Sequence, residues 1–147
     1  MASVCSDKIA KTMWRGLLLL VILRPAVAAT TIDGVFTVEQ AERGRRAYVQ
    51  NCSSGCHKSD LTGGFRAPAL ASDAFLRQWD GQTLDDLFAR ISTTMPQTAP
   101  GSLSPQLYAD ILAFLLRSNG LPSGSSELRP DREALRSIEI RDSDSGR

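Results

Sequence analysis

The chain has 147 residues, with 17 Lys and Arg against 16 Asp and Glu, a formal charge of +1 and 42% hydrophobic residues. That length accommodates one small domain, and the near balance of charge argues against a nucleic-acid partner. With three cysteines, three methionines and a single histidine, any metal or redox chemistry has few candidate side chains.

Residues 1–28 read as an export signal. Lys8, Lys11 and Arg15 make a basic start, residues 16–23 form an apolar run too short to span a bilayer comfortably, and Ala26-Val27-Ala28 is a small-residue cleavage pattern. Cleavage after Ala28 is expected, giving a periplasmic protein with no stable membrane insertion. An uncleaved anchor is the alternative, opposed by Arg24 and Pro25 interrupting the run. Cys5 precedes the apolar run, where a lipid-bearing cysteine would follow it. The segment holds four basic residues (Lys8, Lys11, Arg15, Arg24) and one acidic one (Asp7), so its removal leaves 119 residues with a charge of −2. Cys52 and Cys56 are then the only cysteines.

Thr37 followed by Gln40 fits a capping box and predicts a helix over 38–51, with Ala41, Tyr48 and Val49 sharing a face. Gly44 inside it costs about 1 kcal/mol relative to alanine. A close helix crossing explains it, and a harmless weak spot is the alternative. This helix delivers the chain to Cys52-Ser-Ser-Gly-Cys56-His57, a haem-attachment pattern one residue wider than C-x-x-C-H. Two thiols can add across the two vinyl groups of one porphyrin, and His57 is the candidate proximal ligand to its iron. Gly55 supplies backbone freedom for the wider arch. Other readings compete. A Cys52–Cys56 disulfide suits an exported protein. A zinc site would need a fourth Cys or His, absent outside the export segment, and a thioredoxin-like pair would want the shorter spacing beside a βαβ pattern.

Residues 58–70 read as loop, broken by Gly63, Gly64 and Pro68. Ser72 caps a short helix ending near Trp79. Thr83, with Asp85 and Asp86 in the first turn, starts another through about Ser92, with Leu84, Leu87, Phe88 and Ile91 as its apolar stripe. Met95 precedes Pro96, which pushes it into an extended conformation. It is the only methionine beyond the export segment and lies 38 residues after His57. Such a residue is ordinarily core filler, but beside a haem motif it becomes the candidate second axial ligand. Ser104 caps and Pro105 opens a long helix with Leu107, Ile111, Phe114 and Leu115 on its apolar face, ended by Asn119-Gly120 and expected to pack across the first helix. Residues 122–126 read as a flexible link, 130–137 as one or two helical turns with Leu135, Ile138 and Ile140 free to dock, and 141–147 as disordered. No strand signal appears, so the class is all-α.

The chain resembles the class I c-type cytochromes over roughly residues 38–121. The likeness is carried by Gly44 and Tyr48, then Cys52, Cys56 and His57, then Pro68-Ala69-Leu70, Trp79, Met95-Pro96 and the final helix through Asn119-Gly120. It implies three to five helices around one covalently bound haem c, in a domain over 29–122 after the signal and before a partly docked extension over 123–147. It also implies thioethers at Cys52 and Cys56, axial ligation by His57 and Met95, and the Pro68 carbonyl accepting the other imidazole proton. Leu70 would pack on the haem face and Trp79 would bond a propionate, with plain core packing as the alternative for Trp79. Saturated axial positions favour outer-sphere electron transfer over catalysis, so the expected function is a non-enzymatic carrier of single electrons between redox proteins such as a periplasmic dehydrogenase or oxidase. The alternative is a haem enzyme or gas sensor with an open or labile sixth iron position.

Overall fold

The computed structural model describes residues 29–65 and 67–142; the stretch 1–28, read above as an export signal, and residues 143–147 of the end read as disordered lie outside them. Among the described residues, five α-helices run in order: α1 Val38–Asn51, α2 Asp73–Trp79, α3 Leu84–Thr94, α4 Pro105–Ser118 and α5 Arg132–Arg136. No helix among the described residues is long and apolar enough to cross a membrane. The all-α expectation holds with one addition. Two two-residue strands, β1 Ala29–Thr30 and β2 Ile138–Glu139, pair in parallel, Ala29 opposite Ile138. Strands that short carry no alternation to read.

Helix starts follow local chemistry. The hydroxyls of Thr37, Ser72, Thr83 and Ser104 each accept the backbone N–H three residues on, satisfying donors the helix cannot. The capping box expected at Thr37 is half made. Gln40 turns inward instead, where it is fully buried: its Nε2 donates to Asp110 Oδ1 (3.2 Å) and the Leu128 carbonyl (2.7 Å), and its Oε1 accepts the Leu128 N–H (2.7 Å). Of the three residues expected on one face of α1, Ala41 and Tyr48 are buried and Val49 is 42% exposed. At about 100° per residue, Tyr48 returns to within roughly 20° of Ala41, whereas Val49 lies roughly 80° away.

Helix α4 is the centre of the fold because it buries two faces. Tyr108, Ala109, Leu112, Ala113 and Leu116 join Phe36, Leu84, Leu87 and Phe88 in the main core. Ile111 and Leu115 join Ala47, Tyr48 and Leu61 in a second cluster beside α1. The α1–α4 crossing is tight at Gly44, where a Cβ would lie 1.8 Å from the Asp110 carbonyl oxygen. The close crossing is thus the reason for that glycine.

The segment after α4 is more ordered than expected. Gly124, in the stretch read as a flexible link, donates its N–H to the Phe36 carbonyl (2.7 Å) and presses against Gly34. Leu128, Leu135 and Ile140 are buried in the main core, each such burial stabilising by about 1.5–3 kcal/mol. Arg141 and Asp142, expected to be disordered, donate their N–H groups to Thr31 Oγ1 (3.0 Å) and Asp80 Oδ1 (2.9 Å). Buried Asp85 at the start of α3 accepts from Arg132 and Arg136 of α5, and the Arg132 guanidinium, more than burial opposes it, holds its carboxyl below the usual range. A depressed folded-state pKa gives stability that is present above the unfolded value near 4 and lost as pH falls through the folded one. Asp85→Asn should therefore melt below the parent at pH 7, with the gap closing below about pH 4. A gap that persists at low pH would show that the ion pair is not its cause.

Candidate cofactor site

Helix α1 stops at Asn51, and the next turn is wider than an α turn. His57 N–H bonds the Cys52 carbonyl (3.3 Å) and Lys58 N–H the Ser53 carbonyl (3.1 Å), both five residues back, making a π-helical turn over Ser53–His57. In an α turn, residues four apart stand on one face. Here the turn is widened by one residue, so Cys52 and His57, five apart, still meet the same cavity. The spacing anomaly in the motif is taken up where it arises.

The thiols of Cys52 and Cys56 are free and partly buried, not joined in a disulfide. Burial, then the neighbouring Cys56, pushes the Cys52 thiol up to about 11. His57 is buried at 7% exposure. Its Nδ1 stands 2.9 Å from the Pro68 carbonyl oxygen. A carbonyl can only accept, so this bond requires the proton on Nδ1 and leaves the Nε2 lone pair available to a metal.

Pro68 is held in turn by its loop. Gly63 N–H bonds the His57 carbonyl (3.1 Å), Gly64 and Ala67 bridge each other, and Leu70 N–H bonds the Leu61 carbonyl (2.9 Å). Gly63 sits at φ +74°, where a Cβ would come within 2.6 Å of backbone at Ala67 and Ala69. Asn119, at the end of α4, donates to the Leu70 carbonyl (2.8 Å) and accepts the Ser72 N–H (3.1 Å), fixing the loop's exit. Tyr48 donates its hydroxyl to the Lys58 carbonyl (2.7 Å) and packs on Phe114, ring centroids 5.3 Å apart. Burial pushes its phenol well up, so the hydroxyl remains a donor.

Met95 arrives from the other side of the sequence. Helix α3 runs two residues past the expected Ser92, and Thr93 and Thr94 donate their hydroxyls to the Ala89 and Arg90 carbonyls (2.7 and 2.6 Å). Met95 is its C-cap, extended at φ −125° and ψ 151° as the following proline dictates. Its carbonyl accepts the Tyr108 hydroxyl at 2.6 Å.

Cys52, Cys56, His57, Pro68, Leu70 and Met95 line one cavity of about 250 Å³. Ile91, Leu103, Ile111 and Leu115 supply its apolar wall, and exposed Ser54, Gln97 and Thr98 its solvent-facing rim. Trp79 is not brought to this cavity. Its ring packs on Phe75, centroids 6.5 Å apart, against the main core, so the packing gives no support to a propionate contact. Tyr108, which lines the cavity, escaped the sequence reading. The signal was present, since a tyrosine inside an apolar helix must find a polar partner for its hydroxyl.

The donor set fits a haem: two free thiols, an imidazole with its outer nitrogen available, a thioether, and apolar walls with an exposed rim. No group of three or more His, Cys, Asp or Glu among the described residues could hold a bare metal ion. A family model described as "Cytochrome C oxidase, cbb3-type, subunit III" matches residues 39–115. No curated protein and no solved structure matches the chain. The matched stretch runs from the first turn of α1 to the last turns of α4 and encloses every element that lines the cavity. The chain belongs to this cbb3-type cytochrome family: it is a class I c-type cytochrome, a haem-binding electron carrier whose cofactor is covalently attached haem c with its iron.

Proposed function

We propose that the chain is an exported mono-haem electron carrier. Residues 1–28 act as its signal, 29–122 form the cytochrome domain, and 123–147 extend it. Haem c supplies a one-electron iron couple at potentials set by its ligands and surroundings. Cys52 and Cys56 hold it as thioethers, His57 ligates through Nε2 and Met95 through sulfur. The observation that carries this reading is the His57–Pro68 bond at 2.9 Å in a cavity that Met95 also lines. Pro68 orients the imidazole and raises its basicity. Leu70 and the apolar wall keep water from the ligands, which limits reorganisation during electron transfer. With both axial positions taken, substrate has no place to bind, so the role is transfer rather than catalysis. The family description names a cytochrome c oxidase, which favours a terminal oxidase as the acceptor over a dehydrogenase as the defining partner.

The π turn supports attachment through both sulfurs despite the wide spacing. Acid-acetone extraction of the exported protein should leave the haem on the chain, with no thiol open to alkylation. The reduced α-band of its pyridine haemochrome should sit where two thioethers place it. Haem that extracts cleanly would overturn the attachment. A red-shifted α-band with one alkylatable cysteine would overturn the second thioether and leave the first.

A further inference from the structure

Nothing in the ligand set explains what holds the main chain of Met95 in place. Helix α3 ends there, and its C-cap carbonyl has no intrahelical partner. The 96–104 connection that follows is a series of turns, with Ala99 N–H on the Pro96 carbonyl and Ser102 N–H on that of Ala99. The Met95 carbonyl receives the Tyr108 hydroxyl at 2.6 Å, a bond 13 residues apart in sequence that joins α3 to α4. Tyr108 has little freedom of its own. It is 4% exposed, sits in the first turns of the central helix, and packs edge-on against Phe88, with centroids 6.4 Å apart and rings 80° from parallel. An aromatic ring so confined fixes its hydroxyl, and the hydroxyl fixes the peptide that carries the Met95 side chain.

We infer that Tyr108 is a positioning residue for the axial methionine: by tethering the Met95 carbonyl to α4 it keeps the thioether directed into the cavity and resists its displacement by outside ligands. This rests on the proposed ligand role of Met95 and adds the group that holds it. The tether acts through the main chain and not on sulfur, so its removal should leave the ligand type unchanged and raise the fraction of time the ligand is off. One neutral hydrogen bond lost corresponds to about a fivefold change in that equilibrium. An incoming ligand's apparent affinity scales with the Met-off fraction.

The test is a titration of the ferric holoprotein with imidazole, read by loss of the weak long-wavelength charge-transfer band of a Met-ligated haem. Parent, Tyr108→Phe, Met95→Ala and Leu135→Ala are compared, the last removing a core side chain that does not line the cavity. Tyr108→Phe should keep the band without imidazole, yet lose it at about one-fifth of the parent's imidazole concentration. Leu135→Ala should titrate like the parent although its melting temperature falls. If Tyr108→Phe titrates like the parent while Met95→Ala lacks the band, Met95 is the ligand and Tyr108 does not position it. If Leu135→Ala shifts the titration as far as Tyr108→Phe, general stability is responsible and the inference falls. If Met95→Ala has the parent's spectrum, the axial reading itself fails, and the inference with it.

Discussion

Met95→Ala is expected to keep its haem and lose its sixth ligand. On the proposed reading, covalent attachment depends on Cys52 and Cys56 and proximal ligation on His57 with its bond to Pro68, so neither requires the Met95 sulfur. Removing the thioether replaces a soft donor that favours ferrous iron with water, so the midpoint potential should fall. The reduced protein should bind carbon monoxide, and the charge-transfer band should vanish. Truncating a large core side chain costs about 2–5 kcal/mol. Met95 is only half-buried, so about 2 kcal/mol is expected before the lost iron bond is counted. A variant whose potential, spectrum and carbon monoxide binding equal the parent's would reduce Met95 to packing and reopen the reading of a haem protein with a free sixth position.

Gly44→Ala should be among the most damaging single-atom additions in the chain. The new Cβ would lie 1.8 Å from the Asp110 carbonyl oxygen, 2.5 Å from its carbon and 3.0 Å from Phe114 Cβ. Two of these are backbone atoms of a buried helix, so no rotamer change relieves the clash and α1 must move off α4. Overpacking of this kind costs about 1–3 kcal/mol or more, well above the gain of about 1 kcal/mol that alanine brings to a helix interior. The displacement also carries Cys52, at the end of α1, away from Ile111 and Leu115 on α4. Both the melting temperature and the yield of haem-loaded protein should therefore drop. A raised melting temperature, the usual result of Gly→Ala on an open helix face, would mean that the crossing is looser than the contact at Asp110 implies.

What the sequence disclosed and what it hid divide by distance along the chain. The caps at Thr37, Ser72, Thr83 and Ser104 were legible because a hydroxyl and an N–H three residues on settle the matter locally. So was the extended Met95, whose conformation is imposed by its neighbour. The gathering of Cys52, Cys56, His57, Pro68, Leu70 and Met95 followed from a family pattern in which order and residue type are both constrained. The inward turn of Gln40 was hidden, since its partners lie 70 and 88 residues away and outcompete the local box. Trp79 gave no signal of its ring neighbour, Phe75, which it meets at a tilt one helical turn back. Tyr108 gave only half a signal, the need for a partner without its address. Residues 122–126 looked like a flexible link because Gly, Ser and Pro are frequent there, yet Leu128, Leu135 and Ile140 beyond them are buried in the main core, the last two as their apolar character led one to expect.

The pairing of β1 with β2 makes the order of events during biosynthesis part of the structure's logic. Thr31 and Arg141 touch across 110 residues, and contacts of such long sequence separation form late, after their loop-closure entropy has been met. The strand that begins at Ala29 has no partner until Ile138 has been synthesised. Until then Gln40 lacks Leu128, Asp85 lacks its two arginines, and the main core is short of three of its aliphatic side chains. The Cys52–His57 stretch therefore emerges early, on a chain whose two ends have yet to meet. During that interval both cysteines stand on an open chain, within reach of modification before the fold closes over them.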